Sequence, residues 1–206
     1  MGLSFITKPQ AARRNVLAGL AGAGLMGCLL TAAPAAWSQA VPQALLPAQS
    51  EVSFVAKQLG VPLTGRFKRF AAQTRFDPKS PQTSQIAFQI ELGSVSLDPE
   101  TDAELIKPEW FDAGRFPKAT FQSSAIKALG GGKFEVTGKL AIKGHSRDLV
   151  VPVQLTQAGG LSTATGGFVL KRLDFKIGDG EWADTAIVAN DVQVRFKLVL
   201  QGIGPM

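Results

Sequence analysis

The sequence predicts an all-β domain, an antiparallel sandwich or barrel carrying one short helix. Three observations predict it. Short segments alternate apolar and polar residues, most cleanly at Val192, Val194, Phe196 and Leu198 against Gln193, Arg195 and Lys197. Clusters of Gly, Pro and Asp separate them at close spacing, as at Asp77-Pro78-Lys79-Ser80-Pro81, Gly130-Gly131-Gly132 and Gly159-Gly160. A single run of helix formers, Glu100 to Lys107, interrupts the pattern. Many short strands, each with one apolar face, make a sandwich or a barrel.

In chain order, residues 1–40 come first and carry Lys8, Arg13 and Arg14 with no acid. A basic start, an apolar stretch from Val16 to Pro34 and small residues at Ser38-Gln39-Ala40 read as a secretory signal cut after Ala40. The domain is then 41–206. Arg13-Arg14 resembles a twin-arginine export signal, although Asn15-Val16 fit it poorly, and two charges of an ordinary signal explain it as well. Leu25-Met26-Gly27-Cys28 is a second ambiguity, since it is close to a bacterial lipobox that would make Cys28 a lipidated terminus.

Residues 41–50 are a Pro- and Ala-rich lead-in. Val52, Phe54 and Ala56 alternate with polar neighbours and begin the first strand, which Val61-Pro62-Leu63 is expected to interrupt. Gly65 to Phe70 and Thr74 to Asp77 read as the next two strands. Ile86, Phe88, Ile90 and Leu92 share a face in another. The helix over 100–107 carries acids near its positive end, is stopped by Pro108 and should turn Leu105 and Ile106 inward, with Trp110 and Phe111 beneath it. Pro117 fixes its own φ and pushes Phe116 into an extended conformation, so a strand begins there and runs from Thr120 to Leu129. Phe134, Val136, Leu140 and Ile142 form one face of the next strand, and Gly144-His145-Ser146-Arg147 is expected to turn the chain. Val151, Val153 and Leu155 follow, then Phe168 and Leu170, with Phe175 and Ile177 continuing that strand.

Composition excludes several functions. Setting aside Lys8, Arg13 and Arg14, the 22 basic residues fall to 19 against 16 acids, an ordinary surface with no nucleic-acid footprint. The doublets Lys68-Arg69 and Lys171-Arg172 read as solvated strand edges. The single cysteine, Cys28, precedes the domain, so 41–206 has no thiol nucleophile and no disulfide. One histidine, His145, excludes a poly-histidine zinc site, and a lone turn histidine reads as a surface group. Asp179, Glu181 and Asp184 lack the spacing of a calcium loop, so no metal site is expected. No paired acids stand at a diagnostic spacing. The chain reads as a non-enzyme.

An eight-stranded barrel can leave room for one elongated apolar ligand, whereas a sandwich fills its own interior. Thirteen phenylalanines and no tyrosine suit a greasy wall, and they suit a plain core equally.

A resemblance narrows the choice. Thr64-Gly65-Arg66-Phe67-Lys68-Arg69-Phe70, the block Trp110 to Phe121, Val136 to Gly144 followed by Arg147, and Leu173 to Gly178 together resemble, in order, the YceI-like family. The resemblance spans essentially the whole of 41–206. It implies an extended eight-stranded antiparallel lipocalin-like barrel with one short helix, exported to the periplasm. It implies a hydrophobic tunnel for a polyisoprenoid lipid, either a quinone (such as ubiquinone) tail or a polyprenyl carrier, held for transport or storage. It supplies no catalytic residues and no cofactor beyond that ligand. A membrane b-type cytochrome or the membrane surface is the partner it suggests. The loop Asp179 to Asp184 occurs in only part of the family.

The tunnel-wall candidates are Phe54, Phe67, Phe88, Trp110, Phe111, Phe121, Phe134, Phe168, Phe175 and Phe196, about half of which are expected to be wall and the rest core. Trp182 is either a lid on the tunnel mouth or packing on the barrel end. Two other functions remain open on the residues: a filled-core stress or interaction protein, and an enzyme acting on an isoprenoid lipid.

Overall fold

The computed structural model describes residues 42–206. The signal segment, with Arg13-Arg14 and Cys28, lies outside the described residues. Alternation becomes eleven strands: β1 (Ala44–Leu45), β2 (Glu51–Gln58), β3 (Val61–Phe67), β4 (Phe70–Arg75), β5 (Gln85–Glu91), β6 (Val95–Ser96), β7 (Lys118–Gly130), β8 (Lys133–Ile142), β9 (His145–Ala158), β10 (Leu161–Lys171) and β11 (Asp191–Gln201). The helix α1 spans Pro99–Leu105. All pair antiparallel in one sheet, in the order β4-β5-β7-β8-β9-β10-β11-β2-β3-β6, with β1 added to β11.

The sheet curls on itself because β3 and β4, at its opposite ends, are separated only by Lys68 and Arg69. They are two halves of one bent strand. The first half ladders with β2 and the second with β5. Counted so, the barrel has eight long strands, and the two-residue strands β1 and β6 are additions. The ladder is not continuous around the wall, since β4 pairs only with β5 and does not ladder with β1 on its other side. Local bonds brace the bend against the β5–β6 segment: Lys68 N–H donates to Ser94 O at 3.0 Å, and Glu91 N–H to Arg69 O at 3.0 Å. Lower down, the Gln43 amide clasps the Phe76 backbone, donating to its O at 2.7 Å and accepting from its N–H at 2.8 Å.

The strand registers place two ends. The upper end carries the turns Leu59-Gly60 and Lys143-Gly144, α1 with its connection to Pro117, and the segment 172–190. The lower end carries Gly131-Gly132, Gly159-Gly160, residues 76–84 and residues 202–206. Both residues of each of these four turns have positive φ, the twist that two-residue hairpins need.

Four expectations are corrected. Val61-Pro62-Leu63 does not interrupt a strand; it is the start of β3, opposite Ala56 to Gln58. Only Arg66 and Phe67 of β3 pair onward with β6, so Pro62 sits on an edge that needs no N–H. His145 is not in the turn, which is Lys143-Gly144; it opens β9 opposite Ile142. Ile106 is exposed while Leu105 packs inward, because α1 ends at Leu105 and the next residue faces away. Phe175 ends a short 3-10 turn, Arg172–Phe175, rather than continuing a strand.

A buried cluster closes the upper end: Leu92, Val95, Trp110, Phe111, Phe175, Ile177 and Val188, with Phe54, Phe67 and Leu105 packed against it. Asp98 caps α1 by accepting from Thr101 N–H at 3.0 Å, which holds its carboxyl below the ordinary aspartate range. A second cluster, Phe76, Ile126, Phe134, Val136, Leu155, Ala164 and Leu200, lies toward the lower end.

Candidate functional site

The inward positions of the strands do not fill the barrel. Below the upper cluster they leave a cavity of about 170 Å³, with most of the lower cluster in its wall. It reaches from Phe76, Leu155 and Ile203 at the lower end to Leu149, Phe168 and Val194 at mid-height. Of its 22 lining residues only Thr74 has a polar side-chain atom, and none is titratable. A carbon chain can enter such a space without stripping water from any protein polar group, and nothing in the wall can exchange a proton with it.

Small residues set the shape. Gly166 stands opposite Phe196 across β10 and β11, and a Cβ there would lie 2.5 Å from the Phe196 ring. Gly138 likewise leaves room for Phe121, whose Cζ would be 2.5 Å from an added Cβ. Each glycine lets a ring lie flat against the strand instead of crossing the cavity. Ala72 and Ala164 keep the wall low on either side.

The ten aromatic candidates divide by height. Phe88, Phe121, Phe134, Phe168 and Phe196 line the cavity. Phe54, Phe67, Trp110, Phe111 and Phe175 belong to the upper cluster and do not reach it. There Phe54 meets Phe67 at 5.5 Å between centroids, and Phe67 meets Phe111 at 5.9 Å. The aliphatic wall, including Val52, Ile86, Val136 and Leu198, was absent from the aromatic candidates. Its signal was the same alternation that defined the strands. Phe76 also lines the cavity and meets Phe134 edge-on at 5.2 Å; it faces inward as the strand expected over Thr74 to Asp77 implies, although β4 ends one residue before it.

Trp182 packs on the upper end. Its ring is 5.4 Å from that of Trp110, and it does not line the cavity. Among the described residues, Trp110 Nε1 is the one buried side-chain polar atom without a hydrogen-bond partner.

Arg172 is the residue that sequence reasoning misplaced. It is not a solvated edge residue but 2% exposed. Its neighbour Lys171 points out and pairs with Asp191 at 2.6 Å, and strand alternation turns Arg172 in. All five guanidinium N–H groups find backbone carbonyls: Nε donates to Ala189 at 3.1 Å, Nη1 to Ile177 and Gly178 at 2.9 Å each, and Nη2 to Trp182 at 2.7 Å and Val188 at 2.6 Å. Burial pulls its pKa down, and the charge of Asp179 opposes that. The group ties the segment 177–189 to the barrel end. Asp179, Glu181 and Asp184 lie in that segment, and among the described residues no three His, Cys, Asp or Glu side chains gather as metal ligands would.

Comparison with known proteins fits this architecture. The family model described as the YceI-like domain matches residues 44–200. A UPF0312 protein of Vibrio parahaemolyticus is 29% identical over 164 residues, covering 76% of this chain and 82% of its own. The crystal structure of Burkholderia cenocepacia BcnA superposes with a TM-score of 0.73 at 44% identity, covering 75% of this chain and 98% of BcnA. A polyisoprenoid-binding domain from Saccharophagus degradans superposes with a TM-score of 0.60 at 17% identity, covering 77% of this chain and 97% of its own, a likeness of fold alone. A curled antiparallel sheet of eight long strands, a capped short helix at one end and a family match across nearly all of the described residues lead to one conclusion: this chain belongs to the family of YceI-like domains.

Proposed function

We propose that the protein binds one polyisoprenoid chain in the barrel cavity and carries or stores it after export to the periplasm. The observation that carries the reading is the cavity itself, apolar on every side and running along the barrel below the upper cluster, with the lower cluster as part of its wall. The solved Saccharophagus degradans relative is described as a polyisoprenoid-binding domain, which supports the choice of ligand. Quinone tails and polyprenyl carriers share the same branched hydrocarbon. Each isoprene unit of about five carbons adds about 4 kcal/mol of burial before ordering costs. Few polar contacts are then needed. The segment 1–40 supports export with a cut after Ala40, and a signal peptide is consistent with a periplasmic carrier. We read the protein as a binder rather than a catalyst because no titratable group lines the cavity.

One observation favours the rival reading, a barrel filled by its own side chains. A cavity of about 170 Å³ is close to the size that takes up a single benzene ring. A chain of several isoprene units therefore requires inward side chains to move. Ala164→Phe separates the two readings. Ala164 is buried and lines the cavity, so the added ring occupies the ligand's space. The binding reading expects the parent to retain a prenyl species through purification, recovered by organic extraction, and the variant to lose it while melting at the same temperature or higher. Extracts free of prenyl lipid from both proteins, before and after incubation with quinones and polyprenyl phosphates, support the filled-core reading instead.

A further inference from the structure

The wall beside the cavity is split. The ladder between β9 and β10 runs from Ala158 opposite Leu161 up to Val153 opposite Gly166 and stops there. Both strands continue upward. β9 goes on to His145 paired only with β8, and β10 goes on to Lys171 paired only with β11. An uninterrupted ladder would have set Pro152 against Gly167, Val151 against Phe168 and Val150 against Val169.

The sequence explains why it stops. Leu155 N–H donates to Gly132 O at 2.7 Å, on the β8 side. Backbone groups of a strand alternate sides, so Pro152 faces β10, and the donor due there is missing. Its carbonyl does face β10, since a Cβ on Gly166 would lie 2.4 Å from it. Gly166-Gly167 then give β10 two successive residues without side chains to hold it against β9. Above this point the connection between β9 and the segment after β10 is the ion pair Arg147–Asp174 at 4.0 Å, between half-exposed groups, a weak tie.

The split opens on the cavity. Leu149 and Val151 on the β9 side and Phe168 on the β10 side all line it. The outward rim is apolar, with Val150 51% and Val169 52% exposed. The other discontinuity, between β4 and β1, borders a groove of mixed lining, Lys68, Arg69, Gln89 and Glu91 beside Pro47, Phe70 and Ala71, and is clasped by Gln43. A hydrocarbon crossing there would brush charged groups. Across the β9–β10 split it meets valine, leucine and phenylalanine from solvent to cavity.

We infer that the upper split between β9 and β10 is the doorway through which an apolar chain passes into and out of the cavity. This rests on the cavity being the prenyl site. A doorway is a barrier shared by uptake and release, so bridging it slows both and leaves the amount bound unchanged.

The test uses the full chain carrying Cys28→Ser, which removes its one thiol. Val150→Cys with Val169→Cys is joined by a short bis-maleimide, and uptake and release of a dansylated geranylgeraniol are followed by stopped-flow fluorescence. Both residues are exposed, so the substitutions themselves should be nearly neutral, and the unlinked double variant serves as the reference. The control joins Pro47→Cys with Ala71→Cys, which line one groove at the other seam. The expected result is that the Val150–Val169 link slows uptake and release by about tenfold or more with an unchanged dissociation constant, while the control link changes neither. Unchanged rates with the first link, or slowing by the control link alone, overturn the doorway and leave the binding reading intact. No uptake by the unlinked parent overturns both.

Discussion

Arg172 shows how one side chain can hold an end of a barrel without an ion pair. Its five donors meet five carbonyls spread from Ile177 to Ala189, so the loop is fixed by backbone rather than by its own sequence. Arg172→Met leaves those carbonyls buried and unpaired and should destabilise the fold by about 3 kcal/mol, measured by urea unfolding. Arg172→Lys should recover little, because an ammonium offers three donors from a point instead of five from a fork. At Asp98 the prediction concerns pH. Its folded pKa is lowered, chiefly by the Thr101 N–H, so its contribution is present above the unfolded aspartate value. It disappears as pH falls through the folded value. The helix-stability difference between the parent and Asp98→Asn, read as hydrogen exchange at Thr101, should therefore be largest at neutral pH and close in acid. Arg172 was hidden in the sequence for a physical reason. A Lys-Arg doublet at a strand end looks solvated, and only the fold shows five carbonyls converging on the inward member.

At the scale of elements, alternation was legible wherever a strand is wet on one side. β5, β8 and β11 stand where Ile86 to Ile90, Phe134 to Ile142 and Val192 to Leu198 alternate, and β7 starts one residue after Pro117. The start of β3 was not legible, because a proline within a strand is tolerated only on an edge, and edges are decided by the partner. The site was half legible. Alternation tells which side chains face inward but not their height along the barrel axis. Phe54, Phe67 and Phe175 thus looked equivalent to Phe88, Phe121 and Phe196, yet only the second set lines the cavity. The glycines of β8 and β10 carry a prediction. Gly166→Ala should cost about 1–3 kcal/mol, since its Cβ meets the Pro152 carbonyl at 2.4 Å as well as the Phe196 ring. Trimming the ring in Gly166→Ala/Phe196→Leu should not restore stability, because the backbone clash remains; paired thermal melts of the single and double variants check this.

For the whole molecule, packing is divided between two ends. The upper cluster is closed by α1, two tryptophans and the Arg172 node, while the cavity occupies the middle and reaches the lower end. The aromatic residues are shared between the two regions, Trp110, Phe111 and Phe175 in the packed end and six phenylalanines in the cavity wall. The central claim, that this space holds a prenyl lipid, is tested most directly by native mass spectrometry of the protein recovered from the cells that produce it, before and after organic extraction. The expected spectrum is a one-to-one adduct whose mass matches a quinone or a polyprenyl lipid and which extraction removes. A bare protein mass, still bare after incubation with quinones and polyprenyl phosphates, would contradict it.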